Sequence, residues 1–253
     1  MLIAGGVCLV LAAIAAYIFF NERKTLQAAV GTETLQCGEV NELSKAAAAA
    51  VGAGSFSHAC EVLGPAKPPE TGVLKASESG QECVWYRSKL TEHYWDWERD
   101  SDGDMDRTRK TREIHSSESE TPFFVDDGTG RIEIVPVGAD VDGPDKVVDR
   151  MEKDAGPSGW SGLASSVFGG DRTIGIEHEE WIIRPGARLY VLGEASDSSG
   201  QVRIGTAKDG PFVISTRSEE EFTSSTRTTM RIALAAAIVF GVAAPILIVL
   251  GLI

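Results

Sequence analysis

Residues 122–136 read PFFVDDGTGRIEIVP, two short runs rich in aromatic and β-branched side chains on either side of Asp127-Gly128. Asp-Gly between alternating apolar residues is a strong short-range hairpin signal. With the turn over Asp127-Gly128, Val125 pairs with Gly130 and Phe123 with Ile132. Phe123, Val125, Ile132 and Ile134 then share one face, and Arg131 and Glu133 point the other way. A lone hairpin is marginal in water, so this apolar face demands further strands.

Those strands are present on both sides. Residues 83–97 alternate over the longest run in the chain, with Trp85, Trp95 and Trp97 on it, and residues 107–119 read as a polar return strand. Residues 173–183 and 187–192 flank Arg184-Pro185-Gly186, a sequence suited to a type II turn. Shorter strands are expected at 57–63, 73–75, 202–206 and 212–215, with a loop at 64–69, where three prolines lie. Helical spacing recurs over 40–51 through Val40, Leu43, Ala47 and Val51. Val147, Val148 and Met151 suggest a brief helix inside an otherwise glycine-rich excursion over 140–170. Trp160, Leu163, Val167 and Phe168 in that excursion are expected to dock on the sheet or to lie against a bilayer. Ser218 and Glu221 form a capping box opening a last helix. The fold expected is mainly β, or β-rich α+β: an antiparallel barrel- or sandwich-like domain over residues 25–229.

Both ends are apolar. Residues 1–20 and 232–253 contain no charged side chain and are each about long enough to cross a bilayer as a helix. A cleaved signal peptide is the rival reading of the first, but it lacks a basic start and is long for such a segment. Two transmembrane helices around the soluble domain are therefore expected. Arg23 and Lys24 follow the first and Arg227 and Arg231 precede the second, which places the middle of the chain in the cytoplasm, at the cell membrane, with both termini outside.

Lys and Arg number 24 against 37 Asp and Glu, a formal charge of −13. Such a surface repels phosphate backbones and argues against nucleic-acid binding. It also suits a salt-rich cytoplasm. Of four cysteines, Cys8 lies in the first apolar run, and Cys37, Cys60 and Cys83 cannot all pair internally, as a reducing compartment allows.

The order of these pieces resembles the GIDE or BAM ("beside a membrane") domain of the mitochondrial membrane-anchored E3 ubiquitin ligase family and its prokaryotic relatives. The residues concerned are GQECVWYR at 80–87, Trp95 and Trp97, PFFVDDGTGRIEIVPVGADV at 122–141, PGARLYVLGEA at 185–195 and GPFVISTRSEEEF at 210–222. The resemblance runs from about residue 34 to the second apolar helix. In the ligase members a zinc-binding RING domain follows that helix. This sequence reaches Ile253 inside the apolar run and has no C-x-x-C pair, so the ligase chemistry is not expected within it. What the resemblance implies is a membrane-adjacent protein-interaction domain.

Asp100, Asp102, Asp104 and Asp106 are spaced like calcium ligands, but Gly103 is misplaced and Thr111 stands where a bidentate Glu belongs, so a solvated acidic turn is favoured. His58, His93, His115 and His178 show no zinc spacing with the cysteines. The backbone of residues 126–130 offers an anion cradle, though hairpin chemistry already accounts for its glycines. Trp85, Trp95 and Trp97 either form a ligand-binding aromatic face or, as such rings more often do, fill a core. No catalytic, cofactor-binding or metal residue is nominated, and no cofactor. The function expected is a non-catalytic scaffold for membrane or cytoplasmic proteins, in contact with the lipid bilayer. The alternative is a ligase-family component working with a separate RING-type partner.

Overall fold

The computed structural model describes residues 2–99, 105–153, 173–208 and 210–252. The hairpin is present as β6 (Phe123–Asp126) and β7 (Arg131–Ile134). Phe123, Val125, Ile132 and Ile134 are all buried to within 1 %. Its turn differs from the two-residue form. The connection is four residues long, and among the described residues only glycines have positive φ, Gly128 at +87°. A type I′ turn requires positive φ at both central positions. Here side chains close the loop instead: Asp126 Oδ1 accepts from Gly128 N–H at 3.0 Å, and Asp127 Oδ1 accepts from the Thr129 N–H and hydroxyl at 2.9 and 2.7 Å.

The chain folds as two compact units. The first comprises Met1–Gly64, Val125–Gly143 and Arg188–Ile253. In it, β1 (Ser57–Lys67), β6, β7, β12 (Arg203–Gly205) and β11 (Arg188–Ser196) are neighbours in that order, and β1 also pairs with β11. The ring is thus closed into a five-stranded barrel with no free edge. Beyond β11 lie β13 (Val213–Ser215) and β8 (Asp140–Asp142). Strand β11 pairs antiparallel with β12 and β13, whereas β7 with β12 and β8 with β13 run parallel. The interior takes Val125, Ile132 and Ile134 from the hairpin together with Cys60, Val62, Val191 and Ile204, all at most 1 % exposed.

The strand at 57–63 is longer than its alternation suggests, and the expected loop at 64–69 is strand as far as Lys67. Ala66 donates to the Ala187 carbonyl at 2.8 Å and accepts from Gly186 N–H at 2.7 Å. Alternate residues of an antiparallel strand turn their N–H outward, so Pro65, next to the donor Ala66, sits where no donor is required.

The second unit comprises Pro65–Phe124 and Pro144–Ala187. Its sheet has the order β5-β4-β10-β9, from β5 (Met105–Glu118), β4 (Trp85–Arg99), β10 (Thr173–Ile183) and β9 (Asp145–Glu152), beside a small hairpin of β2 (Leu74–Lys75) and β3 (Glu82–Cys83). The brief helix expected at 147–151 is strand β9, in register with β10 from Asp145↔Ile182 to Glu152↔Ile176. A ready-made neighbour outweighs a weak helical spacing, and adjacent Val147 and Val148 suit a pleated surface. Trp160, Leu163, Val167 and Phe168 lie outside the described residues.

Two long helices complete the first unit. Helix α1 (Leu2–Gly31) continues past Lys24 into the stretch expected to open the soluble domain, and α3 (Glu219–Leu252) runs unbroken past Pro245. Its capping box forms as expected, with Ser218 and Glu221 exchanging side-chain to backbone hydrogen bonds at 3.2 Å. A shorter helix, α2 (Cys37–Val51), lies between α1 and β1 in the chain. Helices α1 and α3 pack on each other through small residues: a Cβ on Gly5 would lie 2.5 Å from Ile248 Cγ1, and Ala15, Ala233 and Ala244 are buried. Only 11 % of the most apolar 18-residue stretch of either is buried, unlike the core helix of a soluble protein. Both are long and apolar enough to cross a membrane.

Candidate functional site

The residues that sequence reading proposes for chemistry do not converge. His58 is exposed and stacks on Phe56 at 6.3 Å. His93 sits between Glu177, 2.9 Å from Nε2, and Arg109, 3.1 Å from Nδ1. His115 lies on exposed β5, and His178 is buried between Glu78 and Glu152 at 3.4 and 3.3 Å. Among the described residues no group of His, Cys, Asp and Glu has the arrangement of a metal site. Of the acidic run, only Asp106 belongs to the described residues, at the start of β5.

The three thiols outside the apolar runs are sealed. Cys37, Cys60 and Cys83 are free and fully buried. Burial is the chief cause that pushes the Cys37 thiol up to about 12 and those of Cys60 and Cys83 to about 11. The thiolate is the reactive form, so these are packing residues.

The hairpin loop is occupied by the chain itself. Asp127 Oδ2 accepts from the Cys37 N–H at 2.8 Å and the Thr129 hydroxyl accepts from Gly38 N–H at 3.0 Å, while Asn41 Nδ2 donates to the Arg131 carbonyl at 3.2 Å. The loop therefore caps the start of α2 with a carboxylate, in favourable alignment with the helix dipole. Burial alone would raise the Asp127 pKa. Hydrogen bonds from the Thr129 hydroxyl and from the N–H groups of Cys37, Thr129 and Gly130 outweigh it and hold the carboxyl below the usual aspartate value.

Other buried carboxylates do similar work. Glu180, fully buried, accepts from Glu78 N–H at 2.7 Å, Ser79 N–H at 2.9 Å and the Ser77 hydroxyl at 3.2 Å. Those bonds overcome its desolvation and lower its pKa. Asp197 accepts from Phe56 N–H at 2.9 Å and Gly54 N–H at 3.1 Å, fixing the turn before β1. Neither role is visible in sequence, because each joins residues about a hundred positions or more apart.

Glu61 on β1 is the exception. It is fully buried, and among the described residues its Oε1 has no hydrogen-bond partner and its Oε2 receives only the Thr34 hydroxyl at 3.5 Å. The Tyr190 hydroxyl faces it, yet that oxygen too lacks a partner of ordinary geometry. Burial first, and the charge of Glu219 second, raise the Glu61 pKa to about 7 against the opposing pull of Tyr190 and Thr34.

Where α1, α3 and β8 meet there is a polar pocket of about 140 Å³, lined in part by Glu22, Thr25, Asp140, Asp142, Thr226 and Thr229. Asp142 is engaged there by the Ser215 hydroxyl at 2.9 Å and by Arg217 at 3.6 Å.

The tryptophans divide. Trp85 is fully buried, as a core ring should be. Trp95 is half-buried and Trp97 is 48 % exposed, with the Arg107 guanidinium 4.4 Å from the first ring's centroid and 5.9 Å from the second's. Core packing accounts for only the first of the three.

The family model for GIDE, described as E3 Ubiquitin ligase, matches residues 94–251, which include the outer half of β4, the hairpin, the barrel strands that follow it and nearly all of α3. The chain belongs to the GIDE family. Two plant proteins of Arabidopsis thaliana are similar to this GIDE chain. "E3 ubiquitin-protein ligase SPL1" is 33 % identical over 106 residues, 38 % of this chain and 28 % of the relative. "E3 ubiquitin-protein ligase SP1" is 28 % identical over 111 residues, 44 % of this chain and 32 % of the relative. The chain thus spans less than a third of the length of either relative. No solved structure matches it significantly.

Proposed function

We propose that this GIDE chain is a membrane-anchored, non-catalytic interaction module that organises other proteins at the cytoplasmic face of the cell membrane. The observation that carries this reading is the pairing of α1 with α3: two lipid-compatible helices in one unit with a closed barrel, whose chain leaves α1 and enters α3 at the barrel side. Such an arrangement keeps the folded body on one side of a bilayer. The basic residues Arg23, Lys24, Arg227 and Arg231 near that side support the cytoplasmic orientation. The sealed thiols and the capping roles of Asp127, Glu180 and Asp197 support a binding rather than a chemical role.

The names of the plant relatives favour a second reading, a component of E3 ligation that works with a RING-type or conjugating partner in trans. Crosslinking in intact membranes, followed by mass spectrometry, tests both. A reproducible set of membrane or cytoplasmic proteins supports the module; a conjugating enzyme among them, with conjugates lost on deletion of the gene, moves the assignment to ligation. Recovery of this chain alone refutes both. Protease added to sealed right-side-out vesicles should leave the barrel intact, and its digestion there overturns the orientation.

A further inference from the structure

Strand β10 stays in register with β4 only as far as Thr173↔Tyr94, so from Trp95 onward β4 continues with β5 as its one described partner. The ribbon's register sets Trp95 opposite Arg109, Trp97 opposite Arg107 and Arg99 opposite Met105. The intervening pairs are Tyr94 with Lys110, Asp96 with Thr108 and Glu98 with Asp106. Because side chains alternate between faces, one face carries Trp95, Trp97, Arg99, Met105, Arg107 and Arg109. Every carboxylate of this stretch falls on the other, where Asp96 and Glu98 hold Lys110 between them.

A scattered exposed apolar residue needs no explanation, and neither does a solvated charge. Here two indoles and a methionine, with Trp97 at 48 % and Met105 at 55 % exposure, share a face with three guanidinium groups and, among the described residues, no acid, in a chain of net charge −13. The Arg107 guanidinium lies on the Trp rings and, among the described residues, has no carboxylate against it; the Asp106 carboxylate accepts from the Arg107 backbone N–H instead, at 2.8 Å.

Resting on the interaction-module reading, we propose that this face is the docking surface for an extended acidic segment of a partner protein. Stacked guanidinium groups keep their N–H forks directed outward for carboxylates, and the indoles supply the apolar contact on which binding energy concentrates. Among the described residues strand β5 is also an edge of its sheet, so an extended segment lying there meets backbone groups that no described strand pairs as well as side chains. An anionic bilayer or a nucleic acid fits less well. Asp96, Glu98 and Asp106 lie one backbone's thickness away and repel any anion that surrounds the described ribbon, whereas a single strand touches only the face of the indoles and guanidinium groups.

The test uses the full chain in phosphatidylcholine nanodiscs and a fluorescein-labelled ten-residue peptide alternating Glu with Val, with Gln and Lys versions as controls. Anisotropy should report binding of the Glu peptide alone, weakening with salt. Arg107→Gln and Trp97→Ala should each weaken it about tenfold or more. Lys110→Gln, which removes the same charge from the opposite face, should change it less than about twofold. Equal affinity for the Glu and Gln peptides, or equal effects of Arg107→Gln and Lys110→Gln, overturns the proposal. So does displacement of the peptide by phosphatidylserine vesicles or oligo-dT at lower concentration than by unlabelled Glu peptide, which assigns the face to lipid or nucleic acid. If the crosslinked partners of wild type are recovered undiminished with Arg107→Gln, the module stands and this face is not its contact. If wild type crosslinks to nothing, the module reading itself fails.

Discussion

Replacing Asp127 by Ala removes a single carboxylate that ties the hairpin loop to the start of α2. Four donors lose their acceptor: Cys37 N–H at 2.8 Å, the Thr129 hydroxyl at 2.7 Å, Thr129 N–H at 2.9 Å and Gly130 N–H at 3.3 Å. A lost helix cap costs about 1–2 kcal/mol and a charged hydrogen bond about 1.5–3 kcal/mol, and the terms overlap because water reaches the exposed side of the loop. A net cost of about 2–3 kcal/mol follows for keeping α2 docked, or roughly 30- to 150-fold in its local opening equilibrium. Cys37 reports that opening directly. Its thiol is fully buried, with a pKa of about 12, so a maleimide reaches it only when α2 lifts. Mass spectrometry of labelled native protein should show Cys37 in Asp127→Ala modified roughly 30-fold faster or more, with Cys60 and Cys83 little changed. The sign with pH is fixed by the depressed pKa of Asp127. Its stabilisation is complete above the ordinary aspartate value and is lost as pH falls through the folded-state value, so wild type and variant should converge in strong acid. Equal Cys37 labelling of the two proteins at pH 7, or a parallel rise at Cys60 and Cys83, refutes the capping argument.

Phe123→Asp places an unpaired charge at a fully buried position and should cost at least about 3 kcal/mol, abolishing cooperative thermal unfolding. Retained unfolding would mean that the other side of the hairpin faces the core. Glu61 is opposite in sign to Asp127: its raised pKa makes its ionisation destabilising, a cost that grows between the unfolded value near 4.5 and the folded value near 7. Glu61→Gln should therefore match wild type near pH 4 and exceed it at pH 8 by up to about 3 kcal/mol, and a melting-temperature difference independent of pH would exclude that account. Gly5→Val drives a side chain into Ile248 and the α3 backbone and should lower the stability of the helix pair by about 1–3 kcal/mol, measured by unfolding from detergent.

Local signals were legible wherever neighbours in sequence determine the outcome. Alternation in residues 122–136 located a buried face, Ser218 with Glu221 announced the start of α3, and two uncharged runs announced α1 and most of α3. The failures share one cause, contacts from far along the chain. Strand β9 was hidden because only its pairing with β10 distinguishes it from a helix turn, and β1 outran its expected end because Arg184-Pro185-Gly186 delivers Ala187 beside Ala66. Asp127 looked like turn chemistry alone. Its second oxygen is spent on Cys37, 90 residues earlier. The Trp95–Trp97 face was half legible: the pattern WDWER against MDRTR sorts acids from indoles by parity, but only the register of β4 with β5 puts Arg107 and Arg109 on the indoles' side.

The route of the chain explains why the barrel resists a purely local reading. It leaves the first unit after Gly64, returns at Val125, leaves again after Gly143 and returns at Arg188. Closure of the ring needs β1 against β11, strands separated by more than a hundred residues, as well as β7 against β12. Both pairings impose loop-closure entropy that only the finished core offsets. Buried Val62, Val125, Ile132, Val191 and Ile204 are drawn from three separate passes of the chain. A segment that supplies one pass cannot bury its apolar face without the other two. The three passes that build the barrel are thus expected to be acquired or lost together.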